Sequence, residues 1–317
     1  MSLAFIFPGQ GSQSLGMLGQ LAENYPSILD TFQMVSDKLG FDIWDLIQNG
    51  PETKLNQTEN TQVAMLTADV AIFKLLQTIG FNTGKWMAGH SLGEYAALVC
   101  AQAINLTDAA QLVAKRGQLM QETIPAGIGG MAAIVGLTDQ QVSDLCREAC
   151  FSDYQVMPAN YNAMGQVVIA GHTPAIERAI KLAEEQGAKL ARIIPVSVPC
   201  HCTLLTDAAA HFEEYLNLAN FKVPETAVIS NVDLSIYKSE EQIRSLLKAQ
   251  LVSPVRWVET IQLMKSQGVK NIIESGPGKV LSGLVKRIDK SLSVICVQDK
   301  SSVDQALSDL ATQSSSC

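Results

Sequence analysis

The chain has 317 residues, of which 47% are hydrophobic and 17% charged, and its formal net charge is -8. This composition supports a large core in one or two domains and argues against nucleic-acid binding, which needs a basic surface. No apolar run reaches the roughly 18 residues of a membrane span, and the N-terminus lacks the basic region of a signal peptide, so we expect a cytoplasmic protein.

The cysteines argue against disulfides and against a metal site. All seven are scattered without C-x-x-C spacing, which favours reduced thiols. Cys200 and Cys202 flank His201, but three adjacent side chains cannot surround one metal ion tetrahedrally. We therefore predict no metal.

The first predicted element is a buried strand at residues 3–7, which opens into the loop from Pro8 to Ser12. A glycine-rich loop after a strand can bind phosphate, but the G-x-G-x-x-G spacing is incomplete and no P-loop lysine follows. A plain turn is the simple alternative. A third interpretation is that Gly9 and Gly11 let a backbone N–H near Gln10 approach a reacting centre.

Helices are predicted over residues 20–50 and over 61–78. The pattern G-x-S-x-G follows at residues 89–93, and the apolar segment after it is predicted to be a helix that reaches Ala103. A serine on a tight strand-to-helix turn projects clear of its backbone, and glycines let both elements approach closely. Ser91 would lie at a helix N-terminus, where free N–H groups, including that of Leu92, can bind an oxyanion. The five-residue pattern also occurs by chance, so alone it leaves the role of Ser91 open.

A helix predicted around residues 108–121 carries Arg116 within its apolar stripe, while Lys115 points elsewhere. A buried arginine needs a partner, and an internal salt bridge or an extended stem reaching solvent are two possibilities. The functional alternative is a receptor for a substrate carboxylate, whose geometry the planar guanidinium matches.

Residues 126–197 differ from the flanking segments in the order of their predicted elements, which is β-α-β-β-α-β. This is the ferredoxin-like pattern, and it predicts an inserted subdomain. Strands are predicted over 131–137, 154–162, 166–170 and 188–196, with helices over 138–150 and 172–186. The flanking segments, 1–125 and 198–317, alternate strands with helices. This alternation predicts a core built on a parallel sheet with helices on both faces.

Downstream of this segment, strands are predicted over 227–232, 271–274 and 293–297. Helices are predicted after His201, over 239–250 and 255–267, and from Lys279. The tail from Thr312 is polar, and we expect it to be frayed.

A nucleophilic serine needs a base, and the chain has four histidines. His90 adjoins Ser91, where neighbouring side chains diverge, so packing or capping is expected. His172 heads a helix and should be a capping or surface residue, and His211 should lie on a solvated helix face. His201 lies in an irregular junction before a helix, and we favour it as the base over a loop histidine making one structural hydrogen bond.

Several spaced motifs resemble malonyl-CoA:acyl carrier protein transacylases of bacterial fatty acid synthesis, over residues 3–300. They are the segments 7–13, 89–95, 115–117, 160–171, 195–201 and 274–278. The resemblance implies an α/β-hydrolase-like core with an inserted ferredoxin-like subdomain, and an acyltransferase that forms a malonyl-serine. It implies no cofactor besides the substrates malonyl-CoA and acyl carrier protein, and no nucleic-acid or membrane partner; we also expect a monomer.

The resemblance also assigns roles to residues. Ser91 matches the nucleophile and His201 the base, Gln10 and Leu92 supply the N–H groups of an oxyanion hole, and Arg116 binds the malonyl carboxylate. The remaining assignments are the backbone carbonyl of Gln250, which would orient the histidine, and Asn162, which would line the pocket. The sequence departs from the family at Cys200, where serine is common, and at Met164, where proline is usual. Both leave the acyl preference open.

Acyl carrier protein is acidic in the family the chain resembles, so a chain of negative net charge needs a local basic surface to bind it. Candidates are Lys279, Lys286, Arg287 and Lys290, here called the basic patch, although a merely solvated face is the alternative. An esterase or thioesterase, a methylmalonyl-transferring relative and a non-catalytic carrier-binding protein are the rival functions.

Overall fold

A computed structural model describes residues 2–125, 127–196 and 198–314. The chain forms two sheets. One is parallel and five-stranded, in the order β7-β2-β1-β8-β9, and the other is antiparallel and four-stranded, in the order β4-β5-β3-β6. The parallel strands are β1 (Ser2–Phe7), β2 (Trp86–Gly89), β7 (Ala227–Val228), β8 (Val269–Ser275) and β9 (Ser293–Val297). The antiparallel strands are β3 (Gly129–Val135), β4 (Val156–Ala163), β5 (Gln166–His172) and β6 (Leu190–Ile194).

Fourteen α-helices and one short 3-10 helix (Thr203–Leu205) are assigned among the described residues. Those before β3 are α1 (Gly19–Asn24), α2 (Ser27–Leu39), α3 (Ile43–Asn49), α4 (Glu52–Leu55), α5 (Thr58–Thr78), α6 (Gly93–Cys100) and α7 (Leu106–Thr123). The later ones are α8 (Asp139–Ala149), α9 (Thr173–Glu185), α10 (Thr206–Leu218), α11 (Glu240–Gln250), α12 (Trp257–Ser266), α13 (Val280–Ile288) and α14 (Lys300–Ser314). In the described part of the chain, none has both the length and the apolar character to cross a membrane.

Strand β1 is buried on both faces, as expected of the centre of a parallel sheet. Phe5 and Phe7 pack into the larger core with α5 and α6, whereas Ala4 and Ile6 pack on the opposite face with α12 and α13. This alternation follows from the two-residue period of a strand. It confirms the prediction of a parallel sheet covered by helices on both faces.

The carboxyl ends of the central strands meet at one edge of the parallel sheet. Phe7 is in register with Gly89, and Ile6 with Glu274. The loop after β1, the turn after β2 and the loop after β8 therefore emerge side by side. In open α/β sheets this edge is where ligands bind.

The antiparallel sheet confirms the β-α-β-β-α-β order, with α8 and α9 packed on one face around a core of their own. Helix α8 begins with the capping box of Thr138 and Gln141, where each side chain satisfies a free N–H of the first turn. The predicted boundaries of the inserted subdomain fall at Ala126 and Ser197, which lie outside the described residues. The division into core and subdomain therefore stays a prediction.

Two expectations differ from the structure. The strand predicted over 227–232 is regular only at Ala227–Val228 and is followed by an isolated bridge between Ile229 and Ile236. It ends there because Asn231 turns its backbone and side chain toward the residues around Ser91. The segment Lys300–Ser314 is helical, so the expected fraying from Thr312 is wrong up to Ser314, and the last three residues lie outside the described part. Val303 and Ala306 are buried in the larger core, and this tertiary packing stabilises α14.

Candidate active site

Ser91 lies on a strained turn between β2 and α6. Its backbone adopts φ 54°, a left-handed conformation that is uncommon for residues other than glycine. A side chain on Gly89 would lie 1.8 Å from the backbone of Gly93, and one on Gly93 would lie 2.1 Å from the carbonyl oxygen of Phe7. Both glycines are therefore required for the close approach of strand and helix that was predicted.

The loop after β1 packs directly against this turn. A Cβ on Gly9 would lie 2.6 Å from the carbonyl oxygen of His90 and 3.8 Å from the backbone nitrogen of Leu92. Gln10 and Leu92 line the same cavity as Ser91. The glycine in this loop therefore brings the backbone near Gln10 to the serine, as the third interpretation of the loop expects.

His201 forms hydrogen bonds through both ring nitrogens. Nδ1 lies 2.8 Å from the carbonyl oxygen of Gln250, and Nε2 lies 2.7 Å from Ser91 Oγ. Because a carbonyl can only accept, Nδ1 carries the proton and donates it, which leaves Nε2 free to accept from the serine hydroxyl. Burial, and next the charge of Arg116, lowers the pKa of His201 to about 3. The ring is therefore neutral and ready to act as a base at neutral pH.

The other histidines lie elsewhere. His90 Nε2 donates to Asn162 Oδ1 at 2.8 Å, and its ring packs edge-on against Trp257. His172 occupies the N-cap position of α9, but its side chain makes no capping hydrogen bond and instead accepts from the backbone N–H of Gln155. His211 is exposed on α10. The packing of His90 and the exposure of His211 agree with the expectations from the sequence, whereas capping by the His172 side chain is not found.

Arg116 is 2% exposed and reaches Ser91 from α7. Its Nη1 donates to Gln62 Oε1 at 2.9 Å, and its Nη2 donates to Gln250 Oε1 at 3.0 Å and lies 3.4 Å from Ser91 Oγ. The guanidinium also lies 5.6 Å from the centre of the Tyr95 ring, a cation-π contact. Its Nε is buried and, among the described residues, has no hydrogen-bond partner.

No carboxylate of the described chain forms a salt bridge with Arg116, so neither the expected internal salt bridge nor a solvent-exposed guanidinium is found. The side-chain partners are neutral amides, which satisfy hydrogen bonds but do not neutralise the positive charge. A ligand carboxylate would supply the missing charge beside Ser91.

The predicted residues surround one cavity of about 230 Å³ between the parallel sheet edge and the antiparallel sheet. Its polar wall includes Gln10, Ser91, Leu92, Arg116, Asn162 and His201. Its apolar wall is formed by Met131, Val168, Ile194, Val196 and Val198. Gln250 lies behind this wall and touches it through His201 and Arg116.

The positions where the sequence departs from the family pattern lie differently in the fold. Cys200 lines the cavity, whereas Met164 is 66% exposed at the turn between β4 and β5. Burial raises the pKa of the Cys200 thiol to about 11, so this group is a neutral part of the wall and not a second nucleophile.

Three polar residues near the site were not predicted. Asn231 Oδ1 accepts from the backbone N–H of Ser91 at 2.7 Å, Glu94 is fully buried behind the turn, and Gln62 holds Arg116. The one available signal was Glu94, a carboxylate in an otherwise apolar helix, which needs donors when buried. Nothing in the spacing of Gln62 or Asn231 places them near residues 91 and 116.

Comparisons with known proteins identify the family. Residues 4–305 match the model of the acyl transferase domain. Malonyl CoA-acyl carrier protein transacylase of Salmonella typhimurium is 46% identical over 304 residues, which cover 96% of this chain and 98% of that protein. The chain belongs to the malonyl CoA-acyl carrier protein transacylase family. This result confirms the resemblance found in the sequence motifs.

Solved members of the malonyl CoA-acyl carrier protein transacylase family share the fold. The enzyme from Coxiella burnetii superimposes with a TM-score of 0.95 at 46% identity, covering 96% of both chains. A malonyl-transacylase solved in complex with a type II PKS acyl-carrier protein gives a TM-score of 0.96 at 47% identity, covering 98% of this chain and 100% of that one. The α/β architecture predicted from the sequence is therefore confirmed.

Proposed function

We propose that this acyltransferase moves a malonyl group from malonyl-CoA to the phosphopantetheine thiol of acyl carrier protein through an ester on Ser91. The observation that carries the proposal is the position of Arg116, whose Nη2 lies 3.4 Å from Ser91 Oγ. A carboxylate bound by this guanidinium must lie close to the carbon that Ser91 attacks. A malonyl thioester satisfies this condition, because one methylene group separates its carboxylate from its thioester carbonyl.

The first half-reaction loads the enzyme. His201 Nε2 takes the proton of Ser91 as Oγ attacks the thioester carbon of malonyl-CoA. The backbone N–H groups of Gln10 and Leu92 would bind the tetrahedral oxyanion, and one such donor contributes about 3 kcal/mol to the transition state. The carbon–sulfur bond then breaks, and the leaving coenzyme A sulfur takes the proton from His201.

The second half-reaction discharges the ester. The carrier thiol gives its proton to His201 and attacks the malonyl carbon, after which Ser91 Oγ leaves and regains the proton. Ser91 thus carries the acyl group itself, and the proposed chemistry uses no resident cofactor. Because a backbone carbonyl orients His201 instead of a carboxylate, we expect a weaker base toward water than in a hydrolase, and a long-lived ester.

We further propose that the carrier protein binds at the basic patch. Lys279, Lys286, Arg287 and Lys290 are exposed on and beside α13. The same helix lines the cavity through Val280, Leu281 and Leu284, and Val280 is half-exposed. An acidic carrier bound there would hold its thiol arm next to the entrance. A cytoplasmic location fits these substrates and stays a prediction.

The test is the intact mass of the protein after separate mixing with malonyl-CoA, acetyl-CoA and methylmalonyl-CoA. We expect a malonyl adduct that is absent in Ser91→Ala and that transfers to holo-carrier thiol faster than to water. Rapid hydrolysis of the adduct, with no carrier product, would instead identify a hydrolase. A dominant methylmalonyl adduct would change the substrate but not the class of reaction.

A further inference from the structure

A buried carboxylate lies directly behind the proposed nucleophile. Glu94 is fully buried in the first turn of α6. Its Oε1 accepts from the Tyr237 hydroxyl at 2.5 Å, its Oε2 accepts from Gln250 Nε2 at 2.6 Å, and the backbone N–H of Asn231 approaches both oxygens. The steps of acyl transfer do not use this group, so its burial calls for another explanation.

The Gln250 side chain has only one amide orientation that satisfies its neighbours. Nε2 faces two acceptors, Glu94 Oε2 and the carbonyl oxygen of Ser91 at 3.0 Å, while Oε1 faces Arg116 Nη2 at 3.0 Å. A flipped amide would point its oxygen at a carboxylate and a carbonyl, and its NH₂ group at a guanidinium. Glu94 is the charged acceptor that opposes this flip.

The Gln250 contact is one of two that fix the end of the Arg116 side chain. The other comes from Gln62, at the opposite guanidinium nitrogen. The nitrogen held by Gln250, Nη2, is also the one beside Ser91 Oγ. The Gln250 side chain therefore acts on the part of Arg116 closest to the reacting centre.

We propose that Glu94 and the Gln250 side chain are positioning residues for acyl specificity, in which the Glu94 carboxylate orients the Gln250 amide so that Oε1 holds Arg116 in its carboxylate-binding position. The inference rests on the proposed function, since it assigns Arg116 to the malonyl carboxylate. It separates two roles of Gln250, because the backbone carbonyl serves His201 and the side chain serves Arg116.

Gln250→Met tests the side chain alone, because methionine retains the backbone carbonyl that accepts from His201. The readout is the ratio of malonyl to acetyl loading, measured as kcat and KM for each thioester. We expect this ratio to fall about tenfold to a hundredfold, as for the loss of one charged hydrogen bond, with the change mainly in the KM for malonyl-CoA. Equal losses for both thioesters would indicate a defect at His201 and overturn the inference.

Glu94→Met and Glu94→Gln test the orienting carboxylate. Methionine removes the acceptor opposite Gln250 Nε2, and we expect the loading ratio to fall about tenfold. Glutamine can keep an oxygen there while its NH₂ group donates to the Tyr237 hydroxyl, so we expect it to restore the ratio to within about threefold of the wild type. If Glu94→Gln is as defective as Glu94→Met, orientation is not the role of Glu94.

Tyr237→Phe is the matched control, since it removes a Glu94 partner without touching Gln250, and it should retain the ratio. Thermal melts identify variants that fail to fold, and Arg116→Ala provides the reference. If Arg116→Ala loses malonyl preference but Gln250→Met retains it, the positioning inference is wrong and the proposed function stands. If Arg116→Ala itself retains the preference, the proposed carboxylate site is wrong.

Discussion

At the scale of single residues, Arg116 is the side chain that we expect to select an acidic acyl group. The sequence places this arginine in an apolar stripe, and the structure shows a buried guanidinium, 2% exposed, held by neutral amides. A positive charge with no carboxylate in direct contact is costly inside a protein, and a substrate carboxylate would offset that cost. The same charge would contribute little to binding a neutral acyl group.

We therefore expect Arg116→Ala to lower kcat/KM for malonyl loading by a hundredfold or more, in line with about 3 kcal/mol for a charged hydrogen-bonded contact. Acetyl loading should fall much less, so that the variant accepts acetyl groups in preference to malonyl groups. The measurement is the rate of Ser91 acylation with each thioester. A parallel loss for both would place Arg116 in a structural role.

The protonation of His201 gives a second prediction at this scale. Burial lowers the pKa of His201 to about 3. In a solvated histidine with a pKa near 6.5, by contrast, the neutral fraction would fall to roughly one tenth at pH 5.5. The neutral base is present above the folded-state pKa, so we expect malonyl loading at saturating substrate to show no histidine inflection between pH 5 and 7. Quenched-flow acylation across this range is the measurement.

Glu94 is the other group that titrates near this range, because burial raises its pKa to about 7. An inflection near pH 7 that disappears in Glu94→Gln would belong to Glu94. An inflection near pH 6.5 that persists in that variant would contradict a neutral, buried His201.

At the scale of elements, the site depends on how closely the loop after β1 approaches the turn before α6. A Cβ on Gly9 would lie 2.6 Å from the backbone oxygen of His90, too close for either segment to stay in place. Gly9→Ala should move the loop and with it the N–H of Gln10. Because the loss of one oxyanion donor costs about 10²–10³ in rate, we expect kcat for loading to fall by about a hundredfold.

Gly283→Ala in α13 is the matched control, since a Cβ there meets no atom within 4 Å and alanine favours helix. It should load malonyl groups at the wild-type rate. A folded Gly9→Ala protein that also loads at that rate would remove Gln10 from the oxyanion hole.

At the scale of the whole molecule, the parallel sheet carries the proposed chemistry while the antiparallel sheet closes one side of the cavity. Arg287 of the basic patch also joins these two parts, because its Nη1 donates to Gln166 Oε1 at 2.5 Å. Charge at this position thus has two possible roles, one in binding a partner and one in linking the two sheets.

Reversing charge with Lys286→Glu and Arg287→Glu should raise the KM for carrier protein about tenfold or more at low salt. The rate of loading from malonyl-CoA should be retained, because only the second half-reaction uses the acidic partner. Steady-state transfer and single-turnover loading measure the two steps. Gln166→Ala removes only the hydrogen bond between Gln166 and Arg287 and should leave both steps unchanged. Equal effects on the two half-reactions would exclude the basic patch as the docking surface.

The sequence by itself determined most of the elements and indicated a tight turn at Ser91, and the resemblance of its motifs to a family indicated the type of chemistry. Local periodicity predicted the parallel and antiparallel parts, and the glycines around Ser91 predicted a tight turn, because these signals depend only on neighbouring residues. The early end of the predicted strand at Val228 and the helix α14 were not foreseen, since tertiary contacts set where the strand stops and hold the helix on the core.

Only the tertiary structure decided how the site is held together. His201 and Ser91 are 110 residues apart, and Gln250 and Glu94 are 156 residues apart, so no local pattern records either contact. The physical reason is burial. Glu94 and Arg116 lose their hydrating water on folding, so each needs hydrogen-bond partners, and the fold supplies these from side chains of other elements. The sequence indicates a serine on a tight turn, whereas the fold determines the donors and charges that surround it.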